Sequence, residues 1–333
     1  MIKKDNRKER KLLMKIKRFI SMIALLLAVC TILGACGGAA ESTEPTEPTE
    51  EVNIFKNSMQ KSDPSQDEEF NLLLIGNSGC YYYVEELHGI AMADGIFMRV
   101  CNLYYSGATV MQHHTWWKNG DAKCEFFVTD DNGRVKTEGV DIMYSLRQRN
   151  WDAIGMCDGG QAKIRASSPE QLWTDRGPFL TELYDLYRKE FPMTKLYWQA
   201  CCPYEIGYSK SFTITSYEDQ QADNAIFREQ AKLIAEKLDI QWVPRGDAAQ
   251  LARANPATGD NLTARLNING GLGDYYHDGD IGGGQYLTAC VWYEVLTGNS
   301  CVGNTWRPNY ELSEERIAAL QQAAHEAVAN MNN

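Results

Sequence analysis

From Phe70 onward the chain repeats one unit, a short continuous apolar run followed by a stretch with helical spacing. The runs fall at 71–75, 97–104, 151–156, 195–199 and 240–243. Short apolar runs without polar alternation suit strands buried on both faces. Helices are predicted near 82–93, 108–117, 140–149, 177–190 and 219–238, with two more near 284–297 and 312–330. Val84, Leu87, Ala91 and Met92 in the first, and Leu180, Leu183, Leu186 and Tyr187 in the fourth, line one side at helical spacing. Such alternation predicts an α/β chain, a three-layer α/β/α sandwich around a mainly five-stranded parallel sheet. One insert interrupts it: 125–128 and 134–136 flank Asp131-Asn132-Gly133 and read as a β-hairpin. No internal repeat or second linker divides residues 69–333, which are read as one domain.

Residues 1–35 read as an export signal rather than part of that domain. They hold nine of the 33 basic residues (Lys3, Lys4, Arg7, Lys8, Arg10, Lys11, Lys15, Lys17 and Arg18), followed by an apolar run over 19–33. That run is short for a membrane span. It ends in Leu33-Gly34-Ala35-Cys36, which resembles the bacterial lipoprotein box, and Cys36 is then the lipidated residue. An ordinary signal peptide or a single uncleaved anchor are the alternatives. Residues 36–68 carry Glu44-Pro45-Thr46-Glu47-Pro48-Thr49-Glu50 and little apolar bulk, as expected of a solvated tether. The domain would then sit outside the cytoplasmic membrane, held by its N-terminal lipid alone. The net charge is −11, and the part beyond residue 35 is more acidic still, which disfavours nucleic acid as a partner.

Sites in open parallel sheets form at the carboxyl ends of strands. The first run passes directly into Ile75-Gly76-Asn77-Ser78-Gly79, where small neighbours let a serine hydroxyl project into a cleft. The plainer use of Ser78 is as a helix N-cap. Cys80 stands where a G-x-S-x-G elbow would need glycine. Of five histidines, His88 and His325 fall within helical stretches, and His113 and His114 follow the second strand. His277 lies in a glycine-rich loop three residues after Asp274, a spacing that lets the carboxylate fix the imidazole tautomer and stabilise its charged form. A solvated acidic loop is the alternative, or a weak calcium site at Asp278 and Asp280, although the EF-hand register is missing. The ten cysteines include no C-x-x-C spacing, and no metal or cofactor is expected.

Gly76-Asn77-Ser78 after the first strand, Gly107 after the second and Asp274-x-x-His277 before the last helices together resemble the SGNH (GDSL-type) hydrolase superfamily. The segments at 74–78, 151–154 and 286–295 are similar to an uncharacterised bacterial branch of it. The resemblance implies a flavodoxin-like sandwich, with Ser78 as nucleophile, His277 as base and Asp274 as its orienter. It also implies an oxyanion hole built from the Ser78 and Gly107 N–H groups. The third block departs from the family: Met156-Cys157-Asp158-Gly159-Gly160-Gln161 has no Asn, so Gln161 is the candidate third donor. Asp158 is expected to bond locally, since its carboxylate would repel an oxyanion. Asn77, His113, Trp117 and Gln199, at or beside strand ends, are candidate substrate contacts; most tryptophans read as core, with the adjacent Trp116 and Trp117 the exceptions, since two neighbouring indoles do not both face inward on a helix. The implied activity is a serine esterase acting on an acylated carbohydrate or other small ester. The alternative is a non-catalytic glycan- or solute-binding lipoprotein on the same scaffold.

Overall fold

The computed structural model describes residues 69–159, 164, 167–206, 214–258 and 283–331. The signal, Cys36 and the tether therefore lie outside the described residues, as do Gln161, Asp274 and His277. In chain order the elements are β1 (Phe70–Gly76), a 3-10 turn (Ser78–Cys80), α1 (Val84–Ala93), β2 (Met98–Tyr104), α2 (Val110–Asn119), β3 (Cys124–Asp130) and β4 (Gly133–Val140). There follow α3 (Ile142–Arg147), β5 (Ala153–Met156), α4 (Pro169–Glu190), β6 (Lys195–Gln199) and α5 (Tyr217–Leu238). The chain continues with β7 (Gln241–Val243), α6 (Arg245–Ala254), α7 (Gly284–Thr297) and α8 (Glu314–Ala329).

The sheet runs β4-β3-β2-β1-β5-β6-β7. Its five strands from β2 to β7 are parallel. The hairpin β3–β4 adds two antiparallel strands outside β2, so the insert extends the sheet edge. The parallel strands thus follow the flavodoxin-like order, in which the switch point lies between the first and third of them. Alternate residues of β1 feed opposite cores. Leu72 and Leu74 pack with α1, α6, α7 and α8, while Leu73 and Ile75 pack with α2, α3, α4 and α5. Both faces of the sheet are covered, which explains the unbroken apolar run of β1.

Two helices differ from the sequence reading. α6 was not expected, because its buried face is built from Ala248, Ala249 and Ala252, too small to register as an apolar stripe. α4 begins at Pro169 rather than near 177, capped by Ser168, and continues through Gly177 and Pro178, a pair that reads as a breaker. No described helix is long and apolar enough to cross a membrane.

Candidate active site

β1 ends on Gly76, where a Cβ would lie 2.6 Å from the Cys157 Sγ and 3.0 Å from its carbonyl oxygen. Only glycine lets β1 and the end of β5 approach this closely. Asn77 then caps the 3-10 turn, its Oδ1 accepting from the Gly79 N–H at 2.8 Å. Because Asn77 does the capping, and Tyr83 precedes α1 without a side-chain cap, Ser78 is not an N-cap serine. From Asn71 to Cys80 it is the one residue that is not buried. No described residue accepts a hydrogen bond from the Ser78 or the Gly107 N–H.

Three strand ends converge on this turn. Asn77 Nδ2 donates to the Ala108 carbonyl at 2.9 Å, tying the second block to the first. The Tyr105 N–H donates to the Gly76 carbonyl at 3.1 Å. Gly107 has φ +68°, a left-handed conformation that glycine adopts without strain. From the third block, Gly159 abuts the second: a Cβ there would stand 2.3 Å from the Ala108 carbonyl oxygen and 2.6 Å from that of Gly107. Asp158 reaches beyond its own turn, against the expectation of purely local bonding: it accepts from Gly159 N–H at 2.9 Å and from Val110 N–H, at the start of α2, at 2.8 Å. Its other oxygen accepts from Arg176 Nε at 2.8 Å. Burial raises the Asp158 pKa against the opposing pull of those N–H groups and Arg176. The carboxylate thus serves the first turn of α2 and a buried ion pair rather than facing a substrate.

Three expected substrate contacts are internal supports instead. Asn77 is 5% exposed, with both side-chain polar atoms bonded within the site. Gln199 is 2% exposed: Oε1 accepts from the Tyr83 hydroxyl at 2.6 Å and the Trp292 indole N–H at 2.7 Å, and Nε2 donates to the Gly79 carbonyl at 2.7 Å. His113 is buried too, its Nε2 bonded to the Gly76 carbonyl at 3.1 Å and its Nδ1 facing the Cys124 thiol at 3.9 Å. Trp117 packs on the α2–α4 side of the core, with the Lys118 ammonium 4.2 Å from its ring centroid. The aromatic group by the strand ends is a pair the sequence reading did not join: exposed Tyr105 and Trp116, the latter partly buried against the core, with centroids 4.9 Å apart.

Burial pushes the His113 pKa down to about 4 from 6.5. Between those values the unfolded chain binds a proton that the native state does not. Stability therefore falls as pH is lowered through that window, by about 3 kcal/mol from this group alone. Urea midpoints at pH 7 and pH 4.5 should show a markedly smaller acid loss for His113→Gln than for the wild type; equal losses would contradict this assignment.

The eight described cysteines are free thiols. Burial raises Cys80 and Cys201, and holds Cys101 and Cys124 at about 12, so these thiols stay protonated. Cys157 is drawn the other way, first by its bond with Cys80, but at 4% exposure it stays out of reach of substrate. Among the described residues, no group of three or more His, Cys, Asp or Glu side chains could hold a metal ion.

The chain is similar in structure to a DUF4886 family protein from Bacteroides uniformis, at 23% identity and a TM-score of 0.66, over 80% of this chain and 96% of that one. A more distant similarity is to phospholipase A1 from Streptomyces albidoflavus, at 11% identity and a TM-score of 0.41, over 69% of this chain and 99% of that one. Among curated proteins, none matches. The architecture is the one that the SGNH resemblance implied. A family model described as a domain of unknown function, DUF4886, matches residues 71–327, and the chain belongs to that family.

Proposed function

We propose that the protein is an extracytoplasmic, lipid-anchored serine esterase that removes acyl groups, acetyl first among them, from carbohydrate. The observation that carries this reading is Ser78: partly exposed among buried neighbours, relieved of capping by Asn77, and preceded by that same Asn77, whose side chain bonds to the Ala108 carbonyl beside Gly107. Ser78 Oγ attacks the ester carbonyl carbon as His277, oriented by Asp274, takes its proton. The carbonyl oxygen gathers negative charge opposite the Ser78 and Gly107 N–H groups. The C–O bond to the sugar then breaks, and the departing alkoxide receives the proton from His277. Water, deprotonated by His277, attacks the acyl-enzyme, and the carboxylic acid leaves as Ser78 regains its proton. The anchor at Cys36 and the role of the 274–277 loop come from the sequence and the family resemblance.

Carbohydrate is favoured by the Tyr105–Trp116 pair, an aromatic surface one residue from the Ser106-Gly107 segment, on which a pyranose face can rest. Acetate release from acetylated oligosaccharides and from p-nitrophenyl acetate tests the reading. Tyr105→Ala should raise KM for the oligosaccharide about tenfold, the loss of roughly 1.4 kcal/mol of stacking, and change KM for the small ester far less. Equal effects on both substrates would remove the sugar from the proposal. The competing reading, a glycan-binding lipoprotein without turnover, draws on the third block, which has no Asn donor and whose Asp158 side chain is committed to Arg176. Saturable oligosaccharide binding with no acetate release would favour it.

A further inference from the structure

The residue after the nucleophile is held at both of its polar backbone groups. The Gly79 N–H is taken by Asn77 Oδ1 at 2.8 Å. The Gly79 carbonyl accepts two hydrogen bonds from the opposite direction, from Gln199 Nε2 at 2.7 Å and from Arg245 Nη1 at 2.9 Å. Arg245 is the first residue of α6, directly after β7, and is 3% exposed. Burying a guanidinium is costly, and a lysine or a neutral donor would reach one carbonyl as well. A charge-assisted bond, however, is about twice as strong as a neutral one. A Cβ at Gly79 would crowd Asn77 Oδ1 at 3.1 Å, while Arg245 Nη1, at 3.6 Å, would stay at an ordinary contact distance. Gln199 is itself fixed by Tyr83 from the end of the nucleophile turn and by Trp292 from α7.

We propose that Arg245 is a positioning residue for catalysis, clamping the Gly79 carbonyl together with Gln199 so that Ser78 presents its hydroxyl and N–H at fixed angles. This rests on the reading of Ser78 as nucleophile. The guanidinium field also reaches the surrounding groups, favouring the charged forms of Tyr83, Cys157, Cys201 and Cys202. Its influence extends to both sides of the turn. No motif marks Arg245, which lies 166 residues from its acceptor. The clamp acts through Ser78 and does not touch substrate. Its loss therefore lowers kcat and leaves KM in place, the signature of an interaction expressed in the transition state.

The test compares wild type, Arg245→Met and Arg245→Lys for p-nitrophenyl acetate turnover and for the rate of covalent labelling by a fluorophosphonate. Folded fraction is fixed for each by near-ultraviolet circular dichroism and thermal melting. Arg245→Met should lose about 30- to 100-fold in kcat and in labelling rate per folded molecule, with KM changed less than about twofold. Arg245→Lys, which keeps a charged donor, should recover most of the loss. Turnover by Arg245→Met within about twofold of wild type, matched changes in kcat and KM, or a Lys variant no better than Met would overturn the assignment. Failure of both variants to fold would make Arg245 a structural residue and overturn it as well. A wild type that does not label at Ser78 would instead overturn the reading of the nucleophile, which separates the two failures.

Discussion

Ser78→Ala should lower kcat for a small acyl ester by at least about 10⁴-fold while leaving the folded state intact. The loss is this large because removal of the proposed nucleophile ends the acyl-enzyme route, leaving only what the proposed oxyanion donors and binding supply. Folding should be unaffected, since Asn77 supplies the cap and no described residue depends on the Ser78 hydroxyl. Steady-state kinetics on purified Ser78→Ala, beside a thermal melt, checks both halves. Retained turnover would remove Ser78 from the chemistry. Lost turnover with a collapsed melt would make it a structural residue.

The next largest effect is expected at Gly159, which touches no reacting atom. An added methyl would stand 2.3 Å from the Ala108 carbonyl oxygen and 2.6 Å from that of Gly107, both backbone atoms without a rotamer through which to yield. The Gly107 segment must therefore move, and with it an N–H proposed to face the oxyanion. Gly159→Ala should cost about 10²-fold in kcat, the penalty for misplacing one such donor. Overpacking should also destabilise the fold by about 1–3 kcal/mol. Ser78 should still label with a fluorophosphonate, more slowly, because the nucleophile turn keeps its own supports at Asn77, Gln199 and Arg245. Kinetics within about twofold of wild type would show that the second block tolerates displacement and is not part of the oxyanion hole.

The parts of this molecule that could be read from sequence are those carried by local patterns. Five apolar runs became five parallel strands, because strands buried on both faces leave a continuous apolar signature. The Asp131-Asn132-Gly133 turn announced the hairpin through backbone chemistry confined to a few residues. The serine turn was legible for the same reason. Ambiguity remained over whether Ser78 caps a helix, and it was resolved by the neighbouring Asn77 taking that role.

What escaped was carried by distance along the chain or by small side chains. α6 hides behind alanines, and with it went Arg245. The start of α4 lies behind Gly177-Pro178, and Arg176 with it, so the partner of Asp158 had no helix to sit on. Gln199 stands at a strand end and is polar, which suggested a cleft residue; its partners, 93 to 120 residues away, turn it inward. His113 was drawn toward the substrate by its position after β2, whereas its ring supports the carbonyl that precedes the serine turn. Gln199 and His113 are bonded to the backbone carbonyls on either side of Ser78, one layer behind the place where a local pattern put them.

The most direct measurement is fluorophosphonate labelling of the protein, with the modified peptide mapped by mass spectrometry and Ser78→Ala as control. In the reaction the Ser78 Oγ–P bond forms, the P–F bond breaks, and fluoride leaves while the hydroxyl proton passes to the base. A single adduct on the peptide containing Ser78, missing in Ser78→Ala, is the expected result. A folded protein that stays unlabelled, or carries the adduct on another residue, would contradict Ser78 as the activated nucleophile.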